Sequence, residues 1–314
     1  MRVVRGSDAL EGPLDRGVVT VGNFDGLHLG HREIMAIVVE RARAHGGEAA
    51  VYTFEPHPRK VLQPDRAPKL LNTLEQKLEL IEETGIDVVI VEAFDARLAK
   101  MPAENFVRDV LHRRLGPREV YVGYDFRYGR DREGSMRTLT ELGPHLGFSV
   151  TIVPEVTVGE QDVNSTRIRQ LLANGEVEDA SGLLGRPYRV WGTVAEGDRR
   201  GRALGFPTAN LAPENEVLPA EGVYAGRVRL LSEAGASEPY LAVTNVGRRP
   251  TFKPSDPVLA ETHLIGFEGD LYGRRLELTF EHHLRAERKF ADVEALKRQI
   301  EADRDEARAR LTAE

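Results

Sequence analysis

Two clusters of residues in this sequence have types and spacings suited to phosphate chemistry. The first runs Gly22-Asn23-Phe24-Asp25-Gly26-Leu27-His28-Leu29-Gly30-His31, between a short β-rich run and a segment of helical periodicity. Glycines at 22, 26 and 30 let the backbone turn tightly and approach a ligand closely. A helix opening here directs its first N–H groups and the positive end of its dipole at one spot, which favours an anion. His28 and His31 frame Gly30, so two imidazoles can face one phosphate. The plainer alternatives are two surface histidines or two thirds of a metal site. No third ligand lies nearby in the sequence, and either alternative leaves the glycines unexplained. The second cluster, from Gly192 to Gly201, is glycine-dense, carries Arg199 and Arg200, and runs into Gly205-Phe206-Pro207-Thr208-Ala209-Asn210. Such a loop can wrap a polyphosphate, and the oxygens of Thr208 and Asn210 suit a hard cation such as Mg²⁺. An ordinary β-turn with solvated arginines fits the same loop.

The elements that must position these clusters differ between the two halves. In the first half, the apolar runs Val18–Val21, Ala49–Phe54, Asp87–Val91, Glu119–Val122 and Phe148–Val153 recur about every thirty residues, the length of a strand plus a crossover helix. Ile34, Ile37 and Val38 share one helical face, as do Leu74, Leu78 and Ile81. The pattern predicts a parallel sheet covered by helices, with ligands at the carboxyl ends of its strands. Past Leu184-Gly185-Arg186-Pro187 the runs Tyr188–Val194, Val223–Leu231, Tyr240–Val246, Glu261–Gly266 and Arg275–Glu281 alternate in β fashion. Gly, Pro and Asn separate them, which predicts an antiparallel sheet or barrel. A final helix is expected after Asp292, with Val293, Leu296, Ile300, Ala307 and Leu311 on one stripe.

The composition bounds the function. With 41% hydrophobic and 30% charged residues the chain reads as folded rather than disordered, and 314 residues suffice for two cores. A formal net charge of −7 argues against general binding to nucleic acid backbones. The absence of cysteine excludes disulfides, thiolate metal sites and a cysteine nucleophile. Met1–Gly6 lacks the apolar core of a signal peptide, and no run reaches the roughly eighteen apolar residues of a membrane span. The expectation is a soluble, cytoplasmic protein whose partners are small molecules, with neither nucleic acid nor membrane among them.

No P-loop pattern G-x-x-x-x-G-K-[ST] occurs, and no G-x-G-x-x-G follows a strand. His28-Leu29-Gly30-His31 instead resembles the H-x-G-H signature of the nucleotidylyltransferase superfamily. That superfamily carries a distal serine-rich turn ending in arginine. Asn164-Ser165-Thr166-Arg167-Ile168-Arg169 is similar to its usual I-S-S-T-x-x-R, with Asn164 in place of the common serine. Alone, the run reads as a helix cap with solvated arginines. The resemblance implies ATP contacts at Gly22, Asn23, Phe24, Asp25, Gly30, Ser165 and Thr166, and catalytic roles for His28, His31 and Arg169. Attack on an α-phosphate by another phosphate needs no general base, because the nucleophile is already anionic. It needs positive charge around the pentavalent centre and the departing pyrophosphate.

Thr53-Phe54-Glu55-Pro56-His57-Pro58 and Gly123-Tyr124-Asp125-Phe126-Arg127-Tyr128-Gly129 resemble strand-end loops of the bacterial flavin adenylyltransferase domain. This implies flavin contacts at His57, Asp125, Phe126 and Arg127; a proline-ordered turn and an aromatic surface loop are the plainer alternatives. Pro207-Thr208-Ala209-Asn210 resembles the riboflavin kinase signature. Gly222–Ala225, Asn245–Gly247 with Pro250-Thr251-Phe252, Glu261–Leu264, Tyr272-Gly273, and Leu284-Arg285 with Lys289-Phe290 fall in that family's order. By this resemblance Glu261 is the base that takes the proton of the terminal ribityl hydroxyl as it attacks the γ-phosphate, although a solvent-facing strand glutamate would look the same. Gly192, Gly197 and Arg202 would contact ATP, Thr208 and Asn210 would hold Mg²⁺, and Arg285 and Phe290 would line the flavin end.

The resemblance extends from Arg5 to Leu311 and is to the bifunctional prokaryotic riboflavin kinase and FMN adenylyltransferase family. It implies a Rossmann-like nucleotidylyltransferase domain over residues 1–184 and an antiparallel barrel with a terminal helix over 185–314. The barrel would make FMN from riboflavin and ATP, and the first domain FAD and pyrophosphate from FMN and ATP, with Mg²⁺ serving both. Two rivals stand beside it. One is an adenylyltransferase for another phosphorylated acceptor fused to a kinase-like barrel; the other is a barrel that binds flavin without turning it over.

Overall fold

The computed structural model describes residues 1–196, 205–233, 235–247 and 259–313. They form two compact units, Met1–Asn164 and Ser165–Glu314. The first is built on six strands: β1 (Arg2–Arg5), β2 (Val18–Val21), β3 (Ala49–Glu55), β4 (Val88–Ala93), β5 (Glu119–Gly123) and β6 (Ser149–Val153). All pair in parallel, in the order β1-β4-β3-β2-β5-β6. The expected parallel sheet is present. β2 is buried throughout and β3–β5 over most of their lengths, because helices cover both faces of the sheet. Alternate strand residues feed two cores. Val19, Val21, Ala50, Tyr52 and Ile90 face one, and Val18, Ala49, Val51 and Val89 the other.

Three helices follow the strands that matter here: α1 (Leu29–His45), α2 (Pro58–Leu62) and α3 (Leu74–Glu82). α1 buries Ile34, Met35, Val38 and Ala42 and stops at Gly46, whose φ of 58° is the left-handed cap that glycine favours. α3 starts with a capping box: Thr73 Oγ1 accepts from Gln76 N at 3.2 Å, and Gln76 Oε1 accepts from Thr73 N at 3.0 Å. β2 lies between β3 and β5, and the chain continues outward from it in both directions. That is a topological switch point, and the turns after β2, β3 and β5 all open on the same, carboxyl edge of the sheet.

The second unit begins with helices Ser165–Asn174 and Val177–Leu184. Beyond the small hairpin of β7 (Thr157–Val158) and β8 (Gln161–Asp162) in the first unit, its strands are β9 (Tyr188–Ala195), β10 (Ala209–Pro213), β11 (Gly222–Ser232), β12 (Gly235–Ala236), β13 (Tyr240–Gly247), β14 (Leu259–Leu264), β15 (Arg275–Phe280) and β16 (His282–Arg285). Six of them close an antiparallel barrel in the order β11-β13-β14-β10-β9-β15, with β15 returning to β11. Inward residues pair across strands: Ala242 with Leu264, Thr244 with Thr262, and Val246 with Ala260. The two threonine hydroxyls satisfy each other at 3.1 Å inside the barrel.

The terminal helix, Val293–Thr312, is capped by Asp292, whose carboxylate accepts from Ala295 N at 2.7 Å. Ala307 and Leu311 are buried against Ala225, Leu241, Val243 and Leu284. The expected stripe is only half used, since Val293 remains 55% exposed. Polar contacts also hold the packed half: Arg285 forks onto Asp303 at 2.8 to 3.2 Å, and Arg227, itself paired with Glu281, donates from Nη2 to Leu311 O at 2.8 Å.

Candidate functional site

The turn after β2 is held in an unusual shape. Phe24 and Leu27 have φ of 50° and 39°, and Gly26 has φ of 84°. A left-handed conformation costs a side-chain-bearing residue about 1–3 kcal/mol. Full burial of a large apolar side chain returns a similar amount, about 1.5–3 kcal/mol, and Phe24 and Leu27 are both buried. Gly22 is required by contact: a Cβ there would lie 2.9 Å from the Phe24 ring. Two side chains tie the turn to its surroundings. Thr53 Oγ1 donates to Asn23 O at 3.3 Å, and the buried Asp25 carboxylate accepts from Leu71 N at 3.0 Å and from Asn72 N at 3.4 Å. Asp25, expected to contact ATP, therefore turns its carboxylate inward and holds the turn together.

His28 ends the turn as the residue capping α1, and its carbonyl accepts from Arg32 N at 3.0 Å. Its ring stacks on that of His31, with centroids 3.6 Å apart and planes 20° from parallel. Phe24 meets the His31 ring edge-on at 5.2 Å. A Cβ at Gly30 would lie 3.3 Å from His28 Nδ1, so glycine lets the imidazole lie against the helix start. The result is two stacked imidazoles at the N-terminus of a 17-residue helix, where backbone N–H groups and the helix dipole favour an anion.

Two further turns open on the same edge. His57 is buried and caps α2, its Nδ1 accepting from Arg59 N at 3.1 Å. After β5, Asp125 and Arg127 are exposed, while Phe126 is half-buried and stacks on Tyr128 at 5.5 Å. Tyr124 donates to Glu155 at 2.6 Å, and that carboxylate pushes the phenol up to about 12. Ser165 and Thr166 open the Ser165–Asn174 helix and Arg169 follows one turn after Ser165, while Ile168, Leu171 and Leu172 are buried.

In the barrel, pairing across three strands makes a row that the linear sequence conceals. Asn210 of β10 stands directly opposite Glu261 of β14, and Glu261 directly opposite Asn245 of β13. All three are half-buried and point to the outer face, since their neighbours Ala209, Leu211, Ala260, Thr262, Thr244 and Val246 are buried. Asn245 Nδ2 donates to Glu287 at 2.9 Å. Thr208 is exposed just before β10. His263 lies two residues along from Glu261 on the same face, and its Nδ1 is 2.8 Å from Pro207 O, which braces the peptide that leads into Thr208. Asn245 and His263 are site neighbours that the sequence analysis placed in motif segments without giving them a role. The signal for them was the two-residue period of the strands, which puts 261 and 263 on one face.

Other expected residues have different surroundings. At Gly192 a Cβ would come within 2.4 Å of Ala212 O, so the crossing of β9 and β10 accounts for the glycine. Arg285 is engaged by Asp303, and both Arg285 and Arg288 lie over the Phe290 ring, at 5.7 and 5.2 Å. Gly197, Arg202, the neighbouring Arg199 and Arg200, and Pro250-Thr251-Phe252 lie outside the described residues. Among the described residues no group of three or more His, Asp or Glu is arranged to hold a metal ion, and no helix is long and apolar enough to cross a membrane.

Comparison with known proteins follows the same division. The FAD synthetase family matches residues 12–167, and the riboflavin kinase family residues 184–311. The bifunctional riboflavin kinase/FMN adenylyltransferase of Escherichia coli K12 is 39% identical over 311 residues, covering 99% of this chain and 97% of its own. The Bacillus subtilis protein of the same description is 37% identical over 298 residues, covering 93% and 92%. A crystal structure described as a macrolide-efflux protein from Streptococcus pneumoniae superposes with a TM-score of 0.87 at 28% identity, over 98% of this chain and 99% of that one.

Proposed function

The chain belongs to the bifunctional riboflavin kinase/FMN adenylyltransferase family, and from that premise we propose which residues carry each reaction. The enzyme phosphorylates riboflavin with ATP to FMN, and joins FMN to the adenylyl group of a second ATP to give FAD and pyrophosphate. We assign adenylylation to residues 1–184 and phosphorylation to 185–314, in keeping with the order of the two family matches.

For adenylylation, an FMN phosphate oxygen attacks the α-phosphorus of ATP as the bond to the β-phosphate bridging oxygen breaks. Charge accumulates on the α-phosphate oxygens and on the leaving pyrophosphate, and the groups that match it are His28, His31 and the N-terminus of α1. Gly22, Asn23, Phe24, Asp25 and Gly30 offer backbone to the nucleotide, and Ser165, Thr166 and Arg169 take the phosphate roles implied by their motif. His57, Asp125, Phe126 and Arg127 are assigned to the flavin, supported by the opening of both turns on the carboxyl edge.

For phosphorylation, the nucleophile is a neutral alcohol, so a base is needed. Glu261 takes that role: its carboxylate accepts the ribityl proton as the oxygen attacks the γ-phosphorus and ADP leaves. The observation that carries this assignment is the direct opposition of Glu261 and Asn210 across β14 and β10. Thr208 and Asn210 fit Mg²⁺ as neutral oxygen donors, and an ion held largely by substrate phosphates needs no protein cage of carboxylates. When bound, the ion would neutralise phosphate charge. Gly192, Gly197 and Arg202 are assigned to ATP, and Arg285 with Phe290 to the flavin end. We place the enzyme in the cytoplasm, acting on riboflavin, FMN and ATP.

The test is a comparison of the two steps in His28→Ala. FMN-to-FAD conversion should fall by about 10²–10³-fold, the range for losing a transition-state charge contact, while riboflavin-to-FMN conversion stays at the native rate. A native adenylylation rate would refute the first-site assignment.

A further inference from the structure

His263 stands on the same face of β14 as Glu261, and neither reaction as assigned above uses it. Its Nδ1 lies 2.8 Å from Pro207 O. A carbonyl oxygen can only accept, so Nδ1 carries the proton and donates. The ring is packed as well as bonded. The buried Phe206 meets it edge-on, with centroids 5.7 Å apart and planes at 81°. The Arg304 guanidinium of the terminal helix lies over the Phe206 ring at 6.0 Å. His263 thus meets two consecutive residues of the Gly205-Phe206-Pro207-Thr208 run.

The Pro207–Thr208 peptide lies where the sheet no longer holds the chain. β10 pairs with β14 from Leu211–Ala260 to Ala209–Thr262, and with β9 from Pro213–Gly192 to Asn210–Ala195. Thr208 falls just past the end of both ladders and is exposed. Pro207 has no N–H to pair, and its ring fixes φ. The peptide that follows is trans and planar, so ψ of Pro207 sets its direction. A hydrogen bond to Pro207 O restrains that angle. The strand that carries Glu261 therefore also sets how the chain enters Thr208.

We infer that His263 is a positioning residue of the phosphorylation site, whose Nδ1–H holds the Pro207–Thr208 peptide so that Thr208 and Asn210 stay in register with Glu261; this rests on the assignment of Thr208 and Asn210 to Mg²⁺ and of Glu261 as the base. The imidazole does not touch the reacting atoms. Thr208 and Asn210 would grip the metal–nucleotide complex before and during transfer alike, so loss of the brace acts on KM for Mg-ATP more than on kcat.

The experiment uses the full chain, with riboflavin phosphorylation and FMN adenylylation measured separately for His263→Gln, His263→Asn, His263→Leu and Glu261→Gln. The amide nitrogen of asparagine stands as many bonds from Cα as Nδ1 does, and that of glutamine as many as Nε2. In His263→Gln and His263→Leu, KM for Mg-ATP in phosphorylation should rise about 10–100-fold, the scale for losing a group that orients a metal ligand. Their kcat should stay within about threefold of native, and His263→Asn should stay within about threefold in both constants. Adenylylation should be unchanged in all three. Calorimetric titration with Mg-ADP should show the same loss of affinity in His263→Gln and His263→Leu and its recovery in His263→Asn, because the first unit contributes equally to every titration. Native KM in both His263→Gln and His263→Leu overturns the inference. So does recovery by glutamine instead of asparagine, which marks Nε2 as the working atom. Equal losses in all three variants, which mark ring packing, or a fall in kcat at native KM, which marks a part in the chemical step, overturn it as well. Should His263→Gln lose the cooperative unfolding of the second unit, His263→Leu against His263→Asn, a pair matched in shape, decides by the same criteria. A fully active Glu261→Gln overturns the site assignment instead; an impaired Glu261→Gln beside a native His263→Leu overturns only the positioning role.

Discussion

Replacing Glu261 by glutamine separates proton removal from everything else the barrel site does. Glu261 has Asn210 on one side and Asn245 on the other, and directly opposed strand residues have Cβ atoms about 4.5–5.5 Å apart. Both neighbours are neutral amides, and glutamine keeps the length and volume of glutamate. The substitution keeps that packing, so its cost to folding should be that of a typical partly exposed change, about 0.5–1 kcal/mol. What it removes is the capacity to accept a proton. The amides of Asn210 and Asn245 are not basic, and His263 on the same face is engaged with Pro207 O through Nδ1. Loss of a general base lowers the rate about 10²–10⁴-fold, or about 2.7–5.5 kcal/mol at 1.36 kcal/mol per decade. The assay incubates native and variant protein with riboflavin and excess Mg-ATP, quenches at intervals, and separates riboflavin, FMN and FAD by chromatography. A second series starts from FMN. The variant should stall at riboflavin in the first series and match native in the second. Phosphorylation within about threefold of native would place the base elsewhere. An equal fall in both series would show a global defect rather than a missing base.

Two further outcomes concern stability. Glu119 is held at about 2, well below the ordinary 4.5, chiefly by the Arg41 guanidinium, with His45 and the Tyr121 hydroxyl adding to it. A carboxyl depressed on folding stabilises above its unfolded value, and the gain disappears as pH falls from about 4.5 toward 2. The shift sets a ceiling of about 3 kcal/mol, and the 44% exposure of Arg41 screens this to about 1–2 kcal/mol. Glu119→Gln should therefore be less stable in urea at pH 7 and equal to native near pH 2; an offset that does not change with pH would contradict this. Asp303→Ala strips Arg285 of its carboxylate partner, and Asp303 is 3% exposed. The cost should lie at the lower end of about 3–5 kcal/mol, because Arg285 keeps 20% exposure. Urea unfolding of the barrel measures it, and a loss under about 1 kcal/mol would show that the pair does not secure the helix.

The legible parts of the sequence were those with local causes. The strands after which ligands were expected read as buried apolar runs, and the Gly22–His31 turn announced itself by glycine spacing at the end of one of them. β1 was missed because Arg2 and Arg5 flank two valines in an edge strand, one of whose sides no neighbour covers. β10 was missed because Pro207, Asn210 and Pro213 read as loop residues, yet its pairing with β14 is what sets Asn210 against Glu261. That row depends on partners dozens of residues apart, which no local period encodes. The inward turn of Asp25 has the same origin, since its donors lie 46 and 47 residues away. The engagement of Arg285 by Asp303 was hidden for the same reason, since Asp303 is on a helix whose docking face the apolar stripe only partly identified.

The way the barrel shuts sets an order of events during synthesis. β15 is the strand that meets both β9 and β11, and the Arg189–Glu277 ion pair across this seam joins residues 88 positions apart. Until residues 275–280 emerge, β9 and β11 each present an unsatisfied edge able to pair with a foreign strand. The parallel sheet needs nothing beyond residue 153 for its strands, and domains made first on the ribosome generally fold first. A nascent chain thus passes through an interval in which its first unit has formed and its barrel stands open. Non-local closure is slow, so it is the barrel, through its last-arriving staves, that is most exposed to misassembly and to chaperones.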